Sequence, residues 1–169
     1  PRLFIVGPTG VGKTRLAVAL AQRFQGEIVN ADSRQVYRNM DIGTAKPTAM
    51  ERRQAPHHLL DLLDPSQTFS LGSFLSLAEH SIADIRDRGC LPMVVGGTGQ
   101  YIWALLEDWD VPQVPPDREF RCAKLAELKK NGPLALHEEL RRIDPKRAVE
   151  LDPRNPRRVI RALEVHHST

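Results

Sequence analysis

The chain has 169 residues, of which 41% are hydrophobic, enough for one buried core with a small appendage. Its apolar stretches are too short to span a membrane, and no charged leader precedes the first predicted strand, so we expect a cytoplasmic location. We also expect a monomer. Cys90 and Cys122 stand in unrelated contexts and suggest neither a disulfide framework nor a zinc site. A net charge of +3 permits a nucleic-acid partner without requiring one.

The strongest signal lies between the apolar run at residues 3–6 and the apolar helix pattern that starts at Lys13. The intervening glycines let the backbone point several N–H groups inward, and the helix adds its positive dipole end. Lys13 is suited to terminal phosphate oxygens, and the Thr14 hydroxyl to a Mg²⁺ ion. The predicted di- or triphosphate cradle consists of Gly7, Pro8, Thr9, Gly10, Val11, Gly12, Lys13 and Thr14. An ordinary glycine-rich turn is the alternative.

The next strand, at residues 27–30, completes a predicted βαβ unit and leads to Asp32. Ligands of open parallel sheets bind beyond the carboxyl ends of the strands. Asp32 should therefore face the predicted cradle at residues 7–14, which is called the phosphate loop below. It could hold Mg²⁺ through water or take a proton from a nucleophile. A helix-capping role is the structural alternative.

A short helix from Pro47 to about Gln54 is predicted next, followed by the pair His57 and His58. Adjacent residues of an extended segment point to opposite sides, so a structural or substrate-orienting role is favoured over a metal site. Asp61 and Asp64 follow apolar residues and are rival candidates for a magnesium-supporting acid.

Ser70 is predicted to cap a helix that ends near Arg88, and residues 91–95 form the next buried strand. The strand leads into a second glycine-rich turn at residues 96–99, before another helix. This turn has no lysine, but its N–H groups and the Thr98 hydroxyl could meet a ligand from the other side of the crevice.

A proline-rich stretch ends this region, and two charged helices with apolar stripes follow. We therefore predict a three-layer α/β fold like that of P-loop NTPases, with a parallel sheet of about three strands and a small helical insertion domain. The predicted parts are the P-loop core at 1–116, the insertion at 117–150, and a helix returning to the core at 151–169.

Asn155 and Pro156 predict the start of the last helix. Arginines at 154, 157, 158 and 161 share one of its faces. Arginine suits RNA phosphates and stacking on planar groups. A merely solvated face is an equally open interpretation of the pattern alone.

Taken together, these segments closely resemble the bacterial tRNA dimethylallyltransferase family. The matching segments are GPTGVGKT (7–14), NADSRQVY (30–37), MDIGTAKP (40–47), PHHL (56–59), VGGTG (95–99) and RVIRALEV (158–165). The resemblance covers the whole chain, whereas family members continue past residue 169, so it implies an N-terminal portion. Gln100 departs from the family, which usually has an apolar residue there.

The resemblance implies transfer of the dimethylallyl group of dimethylallyl diphosphate to N6 of the adenosine on the 3′ side of the anticodon. It implies catalytic roles for Asp32 as the base, for Lys13 and for Thr98, with Mg²⁺ on Thr14. The implied tRNA contacts are Asp32, Ser33, Arg34, Gln35, Thr98, Arg121, Arg157, Arg158 and Arg161. The insertion would grip the anticodon stem-loop.

Three other functions fit parts of the pattern. An adenylate isopentenyltransferase would use the same donor on a free nucleotide, but the helical insertion and the arginine face argue for RNA. A small-molecule kinase would use ATP, and its Asp32 would bind magnesium. A non-enzymatic ATP-binding RNA module is the third alternative.

Overall fold

The computed structural model describes residues 1–112 and 114–168. It divides the chain into two compact units, Pro1–Val111 and Pro112–Thr169. The boundary between the two units therefore falls a few residues before the predicted boundary at 116, within the same proline-rich stretch. Within the described ranges, no helix is both long and apolar enough to cross a membrane.

The first unit is built on a parallel sheet with the strand order β1-β4-β2-β3. This confirms the predicted α/β class, and β3 adds a two-residue edge strand to the strands expected. Its elements are β1 (Leu3–Val6), α1 (Lys13–Phe24), β2 (Gly26–Asn30), α2 (Ala49–Gln54), β3 (His57–His58), α3 (Leu71–Asp87), β4 (Leu91–Gly96) and α4 (Gly99–Leu106).

Alternating side chains of the central strands supply two separate cores. Ile28 and Met93 pack with the buried face of α1, whereas Val29 and Val94 pack with α3 and α4. Period-two alternation on a sheet covered on both faces gives this division. The first unit thus has the predicted three layers.

Local capping sets where two helices begin. The α2 helix begins at Ala49 rather than Pro47, because the Thr48 hydroxyl accepts a hydrogen bond from the Glu51 amide and the Glu51 carboxylate accepts one from the Thr48 amide. Ser70 caps α3 through the Ser73 amide, as predicted. Gln100, the departure noted above, is exposed on α4.

The second unit consists of helices around a core of its own. They are α5 (Arg118–Asn131), α6 (Pro133–Ile143), α7 (Pro145–Glu150) and α8 (Pro156–Ser168). The short α7 was not predicted; Asp144 caps it and Pro145 occupies its first turn. The α8 residues Val159 and Leu163 lie in one core with Leu136 and Leu140 of α6. Helix α8 therefore shares a core with a helix of the predicted insertion, within the second unit.

Candidate active site

The loop between β1 and α1 has the backbone that its glycines predict. Gly10 and Gly12 both have φ of 87°, in the left-handed region that favours glycine. Helix α1 begins immediately afterwards at Lys13. Its first N–H groups are free of intrahelical partners and carry the positive end of the helix dipole, an arrangement that binds anions.

Lys13 lies over this loop. Its Nζ donates hydrogen bonds of 2.8 Å to the carbonyl oxygens of both Gly7 and Pro8. Thr14 is half-buried in the first turn of α1, and both side chains line the same cleft. The cation and the hydroxyl are therefore next to the anion-binding backbone.

The second glycine-rich turn reaches the phosphate loop. A Cβ on Gly97 would lie 3.2 Å from the Gly7 carbonyl oxygen and 3.9 Å from Lys13 Nζ. Thr98 Oγ1 accepts a hydrogen bond of 2.9 Å from the Ser33 amide. This turn thus contacts the first loop on one side and the end of β2 on the other.

A cleft of about 230 Å³ opens between the loops that follow β1 and β2. Asp32 lies in it, half-buried, with Oδ1 accepting a hydrogen bond of 2.9 Å from the Arg34 amide. The cleft is lined by Thr9, Gly10, Gly12, Lys13, Thr14, Arg15, Ile28, Asn30, Asp32, Gln35, Ala45, Pro47, Glu51, His57, Val95 and Gly96. The phosphate loop and the strand-end acid therefore share one cavity.

The remaining predicted residues of this unit lie around the cleft rather than in its lining. They are Gly7, Pro8, Val11, Ser33, Arg34 and Thr98. Arg34 is exposed, whereas Ser33 and Thr98 join the ends of β2 and β4 through the hydrogen bond described above. Gln35 does line the cleft, and its side-chain amide donates to the carbonyls of Thr44 and Ala45 at 2.9 and 3.1 Å.

The rival acids have other partners. Asp61 pairs with Lys46 at 2.7 Å and with Arg52 at 2.6 Å. Burial raises the pKa of the Asp61 carboxyl, but these two hydrogen bonds outweigh it, and the net pKa is lowered. Asp64 is exposed and accepts hydrogen bonds from the Ser66 amide and hydroxyl. Neither carboxylate lines the cleft.

The histidine pair divides as its extended backbone predicts. His58 Nε2 lies 2.6 Å from a carboxylate oxygen of Glu27. The His57 ring instead lines the cleft, with Nδ1 2.8 Å from the Ala55 carbonyl oxygen and a buried Nε2 that has no hydrogen-bond partner in the described structure. Burial lowers the pKa of His57, which favours a neutral ring.

The cleft-lining side chains best suited to bind a cation carry oxygen atoms and do not form a cluster of histidines. Residues 1–112 and 114–168 contain no group of three or more His, Cys, Asp or Glu side chains arranged for a metal. The Thr14 hydroxyl and the Asp32 carboxylate line the cleft together. A small number of oxygen ligands beside a phosphate site suits Mg²⁺, because this ion keeps several of its bound waters.

In the second unit, two arginines predicted to contact tRNA are held by a buried carboxylate. Glu164 is fully buried and accepts hydrogen bonds from Arg121 Nε and NH2 at 2.7 Å, from Arg161 NH1 at 2.6 Å and from the Asp117 amide at 2.8 Å. Burial raises the pKa of the Glu164 carboxyl, but these hydrogen bonds lower it to about 2. Sequence reasoning missed Glu164, although its i+3 spacing from Arg161 was a signal.

The rest of the arginine face is more accessible. Arg157 and Arg158 are exposed, and neither side chain has an ion-pair or hydrogen-bond partner among the residues described. Arg154 pairs with Asp152 at 2.9 Å on the surface. The predicted stripe therefore separates into two free guanidiniums and two that are paired.

Comparison with known proteins points to the family that the sequence motifs resemble, and the similarity extends over nearly the whole chain. A family model described as IPP transferase matches residues 35–169, and one described as isopentenyl transferase matches residues 2–61. The tRNA dimethylallyltransferase of Chloroflexus aggregans is 58% identical over 162 residues, which are 96% of this chain and 55% of that protein.

Two solved structures are also similar. The full-length tRNA isopentenylpyrophosphate transferase from Bacillus halodurans is 49% identical, with a TM-score of 0.64 over 96% of this chain and 54% of that one. A eukaryotic dimethylallyltransferase, described as acting on tRNA, is 35% identical, with a TM-score of 0.80 over 97% of this chain and 40% of that one.

The chain spans about half the length of the curated relatives it matches. The IPP transferase model covers well over half of its residues, and the phosphate loop, the Asp32 strand end and the second glycine-rich turn come together in its first unit. The chain belongs to the IPP transferase family.

Proposed function

We propose that this chain forms part of an enzyme that transfers the dimethylallyl group of dimethylallyl diphosphate to N6 of the adenosine on the 3′ side of the anticodon in tRNA. One observation carries the proposal: an anion-binding loop and a carboxylate with an available oxygen line a single cleft. The names of the relatives, tRNA dimethylallyltransferase in Chloroflexus aggregans among them, support the same reaction.

The loop end of the cleft suits the leaving group. As the bond between C1 of the donor and its diphosphate oxygen breaks, negative charge develops on the diphosphate. The helix N-terminus and Lys13 would stabilise that charge, because both are already in place before the reaction. The Thr14 hydroxyl would hold a Mg²⁺ ion, which would supply further neutralisation of charge on the diphosphate.

Asp32 is the base in this proposal. N6 of adenosine forms the new bond to C1, and its proton passes to the carboxylate. Oδ1 already accepts the Arg34 amide, whereas Oδ2 makes no hydrogen bond within the described residues and is the oxygen expected to take the proton. The adenine would need to leave its stacked loop to reach the cleft, as bases do in enzymes that modify them.

The second unit supplies the basic surface for RNA. Arg157 and Arg158 are exposed at the start of α8 and without partners in the described structure, so their guanidiniums can bind phosphates without breaking an ion pair. Arg121 and Arg161 would act in RNA binding only through the donors that Glu164 leaves unused.

The deciding experiment measures binding of dimethylallyl diphosphate and of ATP to this chain, with and without Mg²⁺. Each titration is repeated with an unmodified anticodon stem-loop that carries an adenosine next to the anticodon, and with the same stem-loop carrying uridine there. We expect the chain to bind dimethylallyl diphosphate in preference to ATP when Mg²⁺ is present. The stem-loop with adenosine should strengthen this preference, and the stem-loop with uridine should not. A higher affinity for ATP that does not change when RNA is added would favour the kinase. Asp32 would then be assigned to magnesium binding.

A further inference from the structure

Two residues of the 41–47 segment, Ala45 and Pro47, line the cleft, and this segment is called the wall below. Four of the lining residues are apolar, namely Ile28, Ala45, Pro47 and Val95, and the same lining includes the polar residues Gln35, Glu51 and His57. Ile28 and Val95 lie in sheet strands, whereas Ala45 and Pro47 lie in a segment without helix or strand. The width of the apolar part therefore depends on what holds this segment in place.

Lys46 holds it from within. Its side chain is only 3% exposed. Its Nζ donates to the Tyr37 carbonyl oxygen at 2.6 Å, to Asp41 at 2.9 Å and to Asp61 at 2.7 Å. Three donors thus meet three acceptors, which satisfies the buried ammonium completely.

Asp61 extends the network to α2. Its other carboxylate oxygen accepts a hydrogen bond of 2.6 Å from Arg52 NH1, and Arg52 Nε donates to the Pro47 carbonyl oxygen at 3.0 Å. Both ends of the 41–47 segment are therefore tied to the same carboxylate, through Lys46 and through Arg52. Asp61, a rival magnesium acid from sequence, has both oxygens committed to this network.

The backbone near the network is held in unfavourable conformations. Ala45 has φ of 50° and Asp61 has φ of 53°, in the left-handed region that non-glycine residues seldom adopt. Such residues persist only where surrounding contacts over-determine them. Gln35 adds two hydrogen bonds to the segment, at Thr44 and Ala45. The wall therefore has a fixed shape maintained against local strain.

We propose that Lys46 and Asp61 are positioning residues, which hold the 41–47 wall so that the cleft fits a hydrocarbon chain carried on a diphosphate. The proposal rests on the proposed function, because that function supplies the prenyl diphosphate. It assigns the two residues no contact with the reacting atoms. Their effect is on the apolar part of the cleft and not on the phosphate loop.

Two probes separate these parts: inorganic diphosphate reports on the loop alone, and dimethylallyl diphosphate reports on the loop and the wall. We expect K46M and D61N each to weaken dimethylallyl diphosphate about tenfold, in line with loss of roughly 1.4 kcal/mol of apolar contact. Their affinity for diphosphate should stay within about twofold of the original. D41N, which removes the charge of one exposed partner of Lys46 but keeps an acceptor oxygen, should have a smaller effect and serves as the test if the other two variants do not fold.

E79Q is the matched control, because it neutralises an ion pair of the same unit with Arg2, outside the cleft. It should change neither affinity. Equal losses for both probes, or no loss for either, in variants that thermal unfolding shows to be folded would overturn the proposal.

Hydrogen exchange makes the test independent of the reaction. The amides of Asp61 and Leu62, which donate hydrogen bonds to the Gln35 and Val36 carbonyl oxygens beside the network, should exchange at least about tenfold faster in K46M and D61N, while those of β4 should not change. If the original chain binds no dimethylallyl diphosphate, the proposed function fails, and the exchange rates still report on the network. Unchanged exchange in both variants would overturn the positioning role whatever the substrate.

Discussion

Arg121 and Glu164 form a bidentate ion pair, in which Nε and NH2 of the guanidinium each lie 2.7 Å from a different carboxylate oxygen. Arg161 binds the second oxygen as well, at 2.6 Å. The pair links the first turn of α5 to the middle of α8. Its stability and its titration are both measurable.

Glu164→Gln should destabilise the second unit. The change leaves two guanidiniums without their buried anion, and breaking such a pair costs about 3 kcal/mol in free energy of unfolding. D152N is the control, since Asp152 pairs with Arg154 on the surface, where solvent screens the pair, and its loss should have a much smaller effect. Urea denaturation at pH 7 measures both. Equal effects of the two variants would contradict the assignment.

The same carboxylate predicts a dependence on pH. Its pKa is about 2 in the folded chain against a reference value of 4.5, so the unfolded state binds the proton more readily. The stability it contributes is therefore complete above the reference value and is lost as pH falls toward about 2. The difference in unfolding free energy between the original chain and E164Q should at pH 3 be less than half its size at pH 7. A difference independent of pH would refute this.

Arg157 and Arg158 should account for the salt dependence of RNA binding. Replacing both with Gln removes two phosphate-binding cations and should lower the slope of log affinity against log salt by about 1.5. R154Q is a weaker change, because Arg154 is already paired with Asp152. Filter binding of the anticodon stem-loop over a range of salt concentrations measures the slopes. An unchanged slope in the double variant would place the RNA elsewhere.

Asp32→Asn should separate binding from chemistry. Asparagine keeps an oxygen for the Arg34 amide but cannot accept the N6 proton as a base, so single-turnover transfer should fall by about 10²- to 10⁴-fold. Binding of dimethylallyl diphosphate should persist within about threefold. If Mg²⁺-dependent binding is lost along with transfer, Asp32 serves the metal instead.

Gly96→Ala should disrupt the meeting of β2 and β4. A Cβ at Gly96 would overlap the Ala31 carbonyl group, so the two strands must separate. We expect a loss of about 2 kcal/mol or more in unfolding free energy. Gly99→Ala is the matched control, since its Cβ would meet nothing within 4 Å at the start of α4. Thermal unfolding that shifts equally in both would contradict the contact.

Much of this architecture could be predicted from local patterns. The order of strand, glycine loop and helix around Lys13 predicts the anion site, because each part acts over a few residues. The carboxyl ends of parallel strands meet at one edge, which is why Asp32 was expected near that loop. Mg²⁺, the monomeric state and the cytoplasmic location stay predictions.

Long-range pairing was out of reach of those patterns. Arg121 and Glu164 are 43 positions apart, and nothing local distinguishes an arginine that faces RNA from one that neutralises a buried acid. Lys46 likewise lay among turn residues, and Asp61 was a rival candidate for a magnesium-supporting acid, so their pairing was not predicted. The cleft-facing ring of His57 depended on which side of β3 would be covered, a question that tertiary packing decides.

The strand order has a consequence for folding. Strand β4 is hydrogen-bonded to both β1 and β2, and it is the only described strand that joins them, although it follows β1 by more than eighty residues. Contacts that distant form late, since the chain between them must first be closed. During synthesis, the phosphate loop and Asp32 would thus have no shared framework until residues 91–96 have emerged and inserted. Ligand binding at the cleft should therefore appear only after β4 has joined the sheet, later than the first helix.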